Sequence, residues 1–314
     1  TTMYAVDSAG LPRLIKIFKT EKLRPSEITL FRQEYEKLMK LDLKGLPRIL
    51  ETGLHHGQPA VVSEFYEPFF LSDYIHGGKA GPEDFFRIAI PLAEILADLH
   101  RHNITCLNLR PDNIAFEGDS LRIIDFSSVL VITGRNEKLF NDEIITNTLP
   151  YISPEQTGRI NRIPDYRSDL YSLGVILYEL LTGRKPFSST DPMELIHSHI
   201  ARMPVFPREL DSRIYPVLSR IIMRLLEKSP EERYRSAAGL LADLVRCANR
   251  ITSSGGIDEF EICRHDISPE IVIPGMLVGR EKESGILQEI FNETVYSTAG
   301  EGSMEVVFIS GSAG

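Results

Sequence analysis

Asn113 and Asp125 are oxygen-bearing side chains placed beside strand-like runs. Asn113 closes Pro111-Asp112-Asn113, just ahead of Ile114–Phe116, and Asp125 follows Leu121-Arg122-Ile123-Ile124. Oxygen ligands from two adjacent loops can hold Mg²⁺ together with phosphate, because Mg²⁺ accepts few protein ligands and keeps the rest as water and phosphate oxygens. Taken singly, each residue also suits a turn, Asn113 above all. Lys16 supplies a cation. It projects from the alternating run Leu14-Ile15-Lys16-Ile17-Phe18, where a lysine could equally be solvated. Glu34, on the helical stretch that follows, is the acid that could pair with it; Lys19 and Glu36 are the rival candidates. A positioned cation on phosphates and a metal held by two oxygens suit phosphoryl transfer, a reaction catalysed mostly by positioning and charge neutralisation.

These side chains need elements to bring them together. Met3 to Val6 and Leu14 to Phe18 read as short strands around Ser8-Ala9-Gly10, and Ile49 to Leu54 and Pro59 to Phe65 as a further pair around His56-Gly57. Between them, Phe31, Tyr35, Leu38 and Leu41 fall on one helical face. From Pro82 onward the pattern turns helical. Phe85 to His100 has apolar positions at helical spacing, and Asp169 to Leu181 is almost wholly apolar and ends at Gly183, which predicts a buried helix with a glycine C-cap. Asp169, at its start, suits an N-cap. Leu195 to Arg202, Pro216 to Leu226 and Ala237 to Asn249 read as further helices, whereas Ile114 to Phe116 and Leu121 to Ile124 are short strands around Gly118-Asp119. Regularity is lost over 251–277, which reads as a linker. Gly279-Arg280-Glu281 then opens a helix through Phe291, and Met304 to Ser310 is a short buried strand.

With 314 residues, 42% hydrophobic and 25% charged, the chain has ample material for a core. Its net charge of −9 gives no general reason to expect nucleic acid or an anionic membrane as a partner. Cys106, Cys247 and Cys263 are far apart and match no metal-ligand spacing, so a reducing cytoplasm is the simplest reading. No apolar run reaches the ~18 residues of a membrane span, and no signal peptide is visible. The chain begins directly in strand-like sequence and stops inside a loop, as an excerpt from a longer protein would.

Cys106-Leu107-Asn108-Leu109-Arg110-Pro111-Asp112-Asn113 has the frame of the kinase catalytic loop H-R-D-L-x-x-x-N, with Leu109 and Asn113 in register. Asp125-Phe126-Ser127 falls where D-F-G would, Thr148 to Glu155 resembles the end of an activation segment, and Ser153-Pro154-Glu155 stands for A-P-E. With Lys16, Glu34, Asp169 and Arg233 in the same order, residues 1–250 resemble a eukaryotic-type serine/threonine protein kinase. A narrower likeness lies in Tyr151-Ile152-Ser153-Pro154-Glu155-Gln156-Thr157-Gly158-Arg159-Ile160-Asn161-Arg162. It is similar to the SPEQTGRMNR signature of multi-sensor signalling proteins that join such a kinase domain to an AAA-type ATPase, then to GAF and histidine-kinase modules. Val306 to Gly314 resembles the opening of that ATPase, with Gly311 as first glycine of G-x-x-x-x-G-K-S/T.

The resemblance implies an α+β fold: a bilobal protein-kinase-like domain over 1–250 with a small β-rich lobe and a helical lobe, a linker over 251–277, and the beginning of an α/β P-loop NTPase over 278–314. It implies ATP and Mg²⁺ as cofactors. Lys16, Glu34, Glu64, Tyr66, Asn113 and Asp125 are then the cofactor-binding residues, with Asn113 and Asp125 on the metal, while Asn108 and Arg110 take the catalytic positions. Asp169 would hold the catalytic-loop backbone, and Glu155 and Arg233 would form a buried ion pair. The partners implied are ATP, a protein Ser/Thr substrate, and downstream ATPase, GAF and histidine-kinase domains of the same polypeptide. Three departures stand out: the glycine-rich phosphate lid is absent, the P-loop stops before its lysine, and H-R-D has become Cys106-Leu107-Asn108. An amide has no useful basicity near neutral pH, and general-base catalysis is worth ~10²–10⁴-fold. Leu107 also removes the arginine that would pair with a phosphorylated activation loop. The readings that follow are a kinase with weak or lost phosphotransfer, a pseudokinase scaffold, and a docking module.

Overall fold

Alternating runs near the N-terminus pair as the sequence pattern predicts. In the computed structural model, which describes residues 2–6, 10, 12–18, 29, 31–32, 35–36, 38–41, 43, 45–64, 69–118, 120–124, 148–250, 259–266 and 285–286, the first sheet has four antiparallel strands. They are β1 (Thr2–Val6), β2 (Pro12–Ile17), β3 (Ile49–His55) and β4 (Gln58–Glu64), in the order β1-β2-β4-β3. The register sets Lys16 opposite Thr2 on one side and Val61 on the other, so Lys16 stands on an inner strand. Phe31, Tyr35 and Leu38 are helical and buried, and the Phe18, Phe31 and Tyr35 rings pack with centroids 4.5–5.9 Å apart. This helical face and the sheet share one core with the rest of the domain.

The second lobe is helical: α1 (Leu71–His76), α2 (Pro82–Arg101), α3 (Arg167–Thr182), α4 (Pro192–Ala201), α5 (Pro207–Leu210), α6 (Pro216–Leu225) and α7 (Ala237–Asn249). Helix α2 buries Phe85, Ile88, Ala89, Leu92, Leu96 and Leu99, a stripe at three- and four-residue spacing. Helix α3 is buried on nearly every face and stops at Gly183, whose φ of 72° is left-handed and suits glycine. Gly174, inside α3, lets α6 approach closely: a Cβ there would lie 2.7 Å from Leu225 Cβ. A small sheet of β5 (Phe69–Phe70), β6 (Ile114–Glu117) and β7 (Ser120–Ile123) carries the loop of interest between α2 and β6. Strand β5 and helices α1 and α5 are too short to leave a periodic signal in the sequence.

The chain from Thr1 to Ile267 forms one compact unit and Ser268–Gly314 a second. Within the stretch read as a linker, residues 259–266 pack on the helical lobe. Phe260 is 8% exposed, beneath the Arg246 guanidinium at 4.2 Å. Asp266 accepts from Arg235 N and Ser236 N at 2.6 and 3.0 Å, at the start of α7. Single anchors hold this strap, and isolated anchors leave no periodicity to read.

Candidate active site

Asp169 lies in the first turn of α3, fully buried, and its carboxylate turns away from its own helix. It accepts from Cys106 N at 2.9 Å and Leu107 N at 2.7 Å, and sits 3.0 Å from His100 Nε2. The N-cap position belongs to Tyr166. Asp169 therefore clamps the loop, a role that local propensity could not separate from capping. Leu107 needs a clamp, because its φ of 50° is left-handed, a region that costs a non-glycine residue roughly 1–2 kcal/mol. A second clamp closes from the other side: Gln156 Nε2 donates to Leu107 O at 2.6 Å. Cys106 is buried beside Asp169, and burial first, then that charge, push its thiol well up, so it stays neutral.

Asn108 follows this pinned residue and is half-buried. Asn113 Nδ2 donates to Asn108 O at 2.8 Å, which leaves the Asn113 side-chain oxygen as the atom suited to a metal. Asn113 N in turn donates to Arg110 O at 2.9 Å through the turn Pro111–Asn113, and Ile124 N donates to Asn113 O at 2.8 Å. Asn108, Arg110 and Asn113 are thus one hydrogen-bonded unit, tied to the residue that precedes Asp125.

Lys16 belongs to the same neighbourhood. Burial first, and then the positive charge of Arg110, lower its pKa to about 7. Among the described residues, the ion pair of Arg110 is a loose one with the half-exposed Asp112, at 3.9 Å. Two cations converging on one region, next to an amide oxygen, fit an anionic ligand carrying a divalent metal. Glu64 ends β4, opposite Arg13 in the register. Glu34, Tyr66 and Asp125 lie outside the described residues.

The segment 148–158 meets this loop through Gln156. Glu155 and Arg233 form a buried bidentate pair at 2.7 and 2.8 Å, and Ser168 Oγ adds a bond to Glu155 at 2.7 Å. Burial alone would raise the Glu155 pKa; Arg233 and Ser168 outweigh it and hold the carboxyl below its usual value. Arg233 also donates to the Glu227, Lys228 and Arg167 carbonyls, so its donors are well satisfied. Tyr151 donates to Glu179 at 2.6 Å, with the Lys185 ammonium 5.1 Å from its ring. Burial, followed by Glu179, pushes the Tyr151 pKa up, so the phenol remains a donor. Sequence reasoning missed Gln156, Tyr151–Glu179 and His100 as parts of the site. Gln156 stood inside a quoted motif, but only its long-range partner shows its use.

A profile of the protein kinase domain matches residues 5–243. The chain belongs to the protein kinase family. Among its relatives, the serine/threonine-protein kinase PknB of Mycolicibacterium smegmatis is 29% identical over 239 residues, covering 74% of this chain and 38% of the relative. The hybrid signal transduction histidine kinase G of Dictyostelium discoideum is 38% identical over 189 residues, covering 54% of this chain and 5% of that protein. Among solved structures, Rad53 1-466 in complex with AMP-PNP is similar, with a TM-score of 0.60 and 25% identity over 76% of this chain and 60% of that one. The β-sheet lobe and helical lobe described above are those of a protein-kinase-like fold. The chain spans about two fifths of the bacterial relative's length and a small part of the hybrid kinase's. Among the described residues, no helix is long and apolar enough to cross a membrane.

Proposed function

We propose that this serine/threonine protein-kinase-family domain binds Mg-ATP and transfers phosphate weakly or not at all. The observation that carries the reading is Asn108, an amide held in place by an intact loop: Asp169 and Gln156 fix the residue before it and Asn113 holds its carbonyl. The scaffold of the loop is kept while the base is gone. ATP with its divalent ion supplies the phosphoryl group when bound. Lys16 and Arg110 are the residues to neutralise phosphate charge, Asn113 and Asp125 to ligate Mg²⁺, and Glu34, Glu64 and Tyr66 to complete the cofactor site. Asn108 can orient a substrate hydroxyl by hydrogen bonding but cannot take its proton at neutral pH.

The domain belongs, in this reading, to a cytoplasmic multidomain signalling protein in which a linker and a P-loop ATPase beginning near residue 278 follow, with GAF and histidine-kinase modules beyond. The likeness to a hybrid histidine kinase supports that setting. A second reading, a pseudokinase scaffold or docking module for those domains, is favoured by the joint loss of acid at Asn108 and arginine at Leu107. Mg-ATP titration of the native protein separates them. Saturable binding that is lost in Asp125→Ala supports the nucleotide reading, and no binding leaves the scaffold.

A further inference from the structure

We propose that Gln156 is a positioning residue that locks the loop carrying Asn108 without any phosphorylated residue. The inference rests on the reading that residues 106–113 form the nucleotide-facing loop, and it concerns how that loop is regulated. In kinases with an arginine before the catalytic Asp, a phosphate on the activation segment can pair with that arginine and order the site. Here the position is Leu107, 7% exposed and without charge. The tie between the two segments is made instead by an uncharged side chain.

Gln156 is suited to this by its two ends. Its Oε1 accepts from Ser153 N at 3.0 Å and Ser153 Oγ at 3.1 Å, and its Nε2 donates to Leu107 O at 2.6 Å. The opposite amide orientation would face oxygen to carbonyl oxygen and nitrogen to N–H, so only one orientation satisfies all partners. The turn Pro154–Thr157 that carries Gln156 is itself fixed: Glu155, the preceding residue, is bound by Arg233 and Ser168, and Thr157 Oγ1 donates to Pro154 O at 2.6 Å. Adjacent residues on one tight turn thus point to opposite sides, one into the helical lobe and the other into the loop. Leu107 is then held at both ends of its own unit, by Asp169 at its N–H and by Gln156 at its C=O, in the left-handed conformation that sets the direction of Asn108. None of these contacts involves a group that phosphorylation would create.

Gln156→Glu separates this role from simple turn capping. Glutamate still accepts from Ser153 but, when ionised, cannot donate to Leu107 O. Hydrogen exchange at the Leu107, Asn108 and Leu109 amides is measured on phosphatase-treated full chain, native and variant, with thermal unfolding in parallel. The native loop should be protected without phosphate. The variant should exchange there about tenfold faster, the order of one net hydrogen bond, with its unfolding temperature lowered by roughly 3–6 °C. Should Gln156→Glu fail to fold, Gln156→Met, of similar length and with neither donor nor acceptor, must show the same local loss. Protection that appears only after phosphorylation, or that is unchanged in the variant, overturns the proposal. Nucleotide binding of the native protein is read separately. Its absence alongside faster loop exchange in the variant would remove the nucleotide reading and leave the clamp standing.

Discussion

Replacing Asp169 by asparagine tests the best-defined contact of the candidate site. The native carboxylate takes Cys106 N and Leu107 N on separate oxygens and also meets His100 Nε2. Asparagine offers one oxygen, so at least one backbone N–H must face an NH₂ group. The charge-assisted bond lost is worth about 1.5–3 kcal/mol, and a buried donor left without an acceptor costs about 1–3 kcal/mol more. Leu107 can then relax from its φ of 50°, which returns roughly 1–2 kcal/mol. The net loss is about 2–4 kcal/mol. At about 2–4 °C per kcal/mol for a domain of this size, the unfolding temperature should drop by roughly 5–15 °C. Calorimetry and urea unfolding of the native protein and Asp169→Asn measure it. A shift under about 1 °C, with the Cys106 and Leu107 amides still protected from exchange, would refute the claim that Asp169 holds the loop.

Nucleotide affinity should depend on pH through Lys16. Its pKa is about 7 in the free protein, and a bound phosphate favours the charged form and raises it. The contribution is therefore complete below about pH 7 and fades by about tenfold per unit above it, until the pKa of the bound form is passed; a flat calorimetric profile contradicts this. Arg233→Met strands the Glu155 carboxylate in a site where both partners are almost fully buried, and should cost about 3–5 kcal/mol. Adding Glu155→Leu should recover much of that loss in urea unfolding. Gly174→Ala should destabilise by roughly 1–3 kcal/mol, because its Cβ would press on Leu225 at the crossing of α3 and α6.

The elements were legible wherever a continuous pattern spans them. The apolar run from Leu170 to Leu181 ends at Gly183, and the helix ends there with the expected left-handed cap. The alternation around Lys16 becomes a paired inner strand. Where a residue's use depends on a partner far along the chain, local spacing is silent. By local propensity Asp169 is a helix cap; only the family resemblance set it against the catalytic-loop backbone, where Cys106 and Leu107, more than sixty residues earlier, lie against it. Gln156 reaches Leu107 across 49 positions, and Phe260 and Asp266 hold the strap 259–266 by isolated contacts with Arg246, Arg235 and Ser236. The buried pair of Glu155 and Arg233 was legible only through the family resemblance, since nothing in either local sequence distinguishes it from a solvated acid and base.

Phosphotransfer by the native protein and by Asn108→Asp, measured side by side with Mg-ATP and a Ser/Thr peptide mixture, tests the central claim most directly. Restoring the carboxylate in a loop already held by Asp169, Gln156 and Asn113 should raise turnover by about 10²-fold or more, with Mg-ATP affinity little changed. Robust turnover by the native protein, unaltered in Asn108→Asp, would contradict the account.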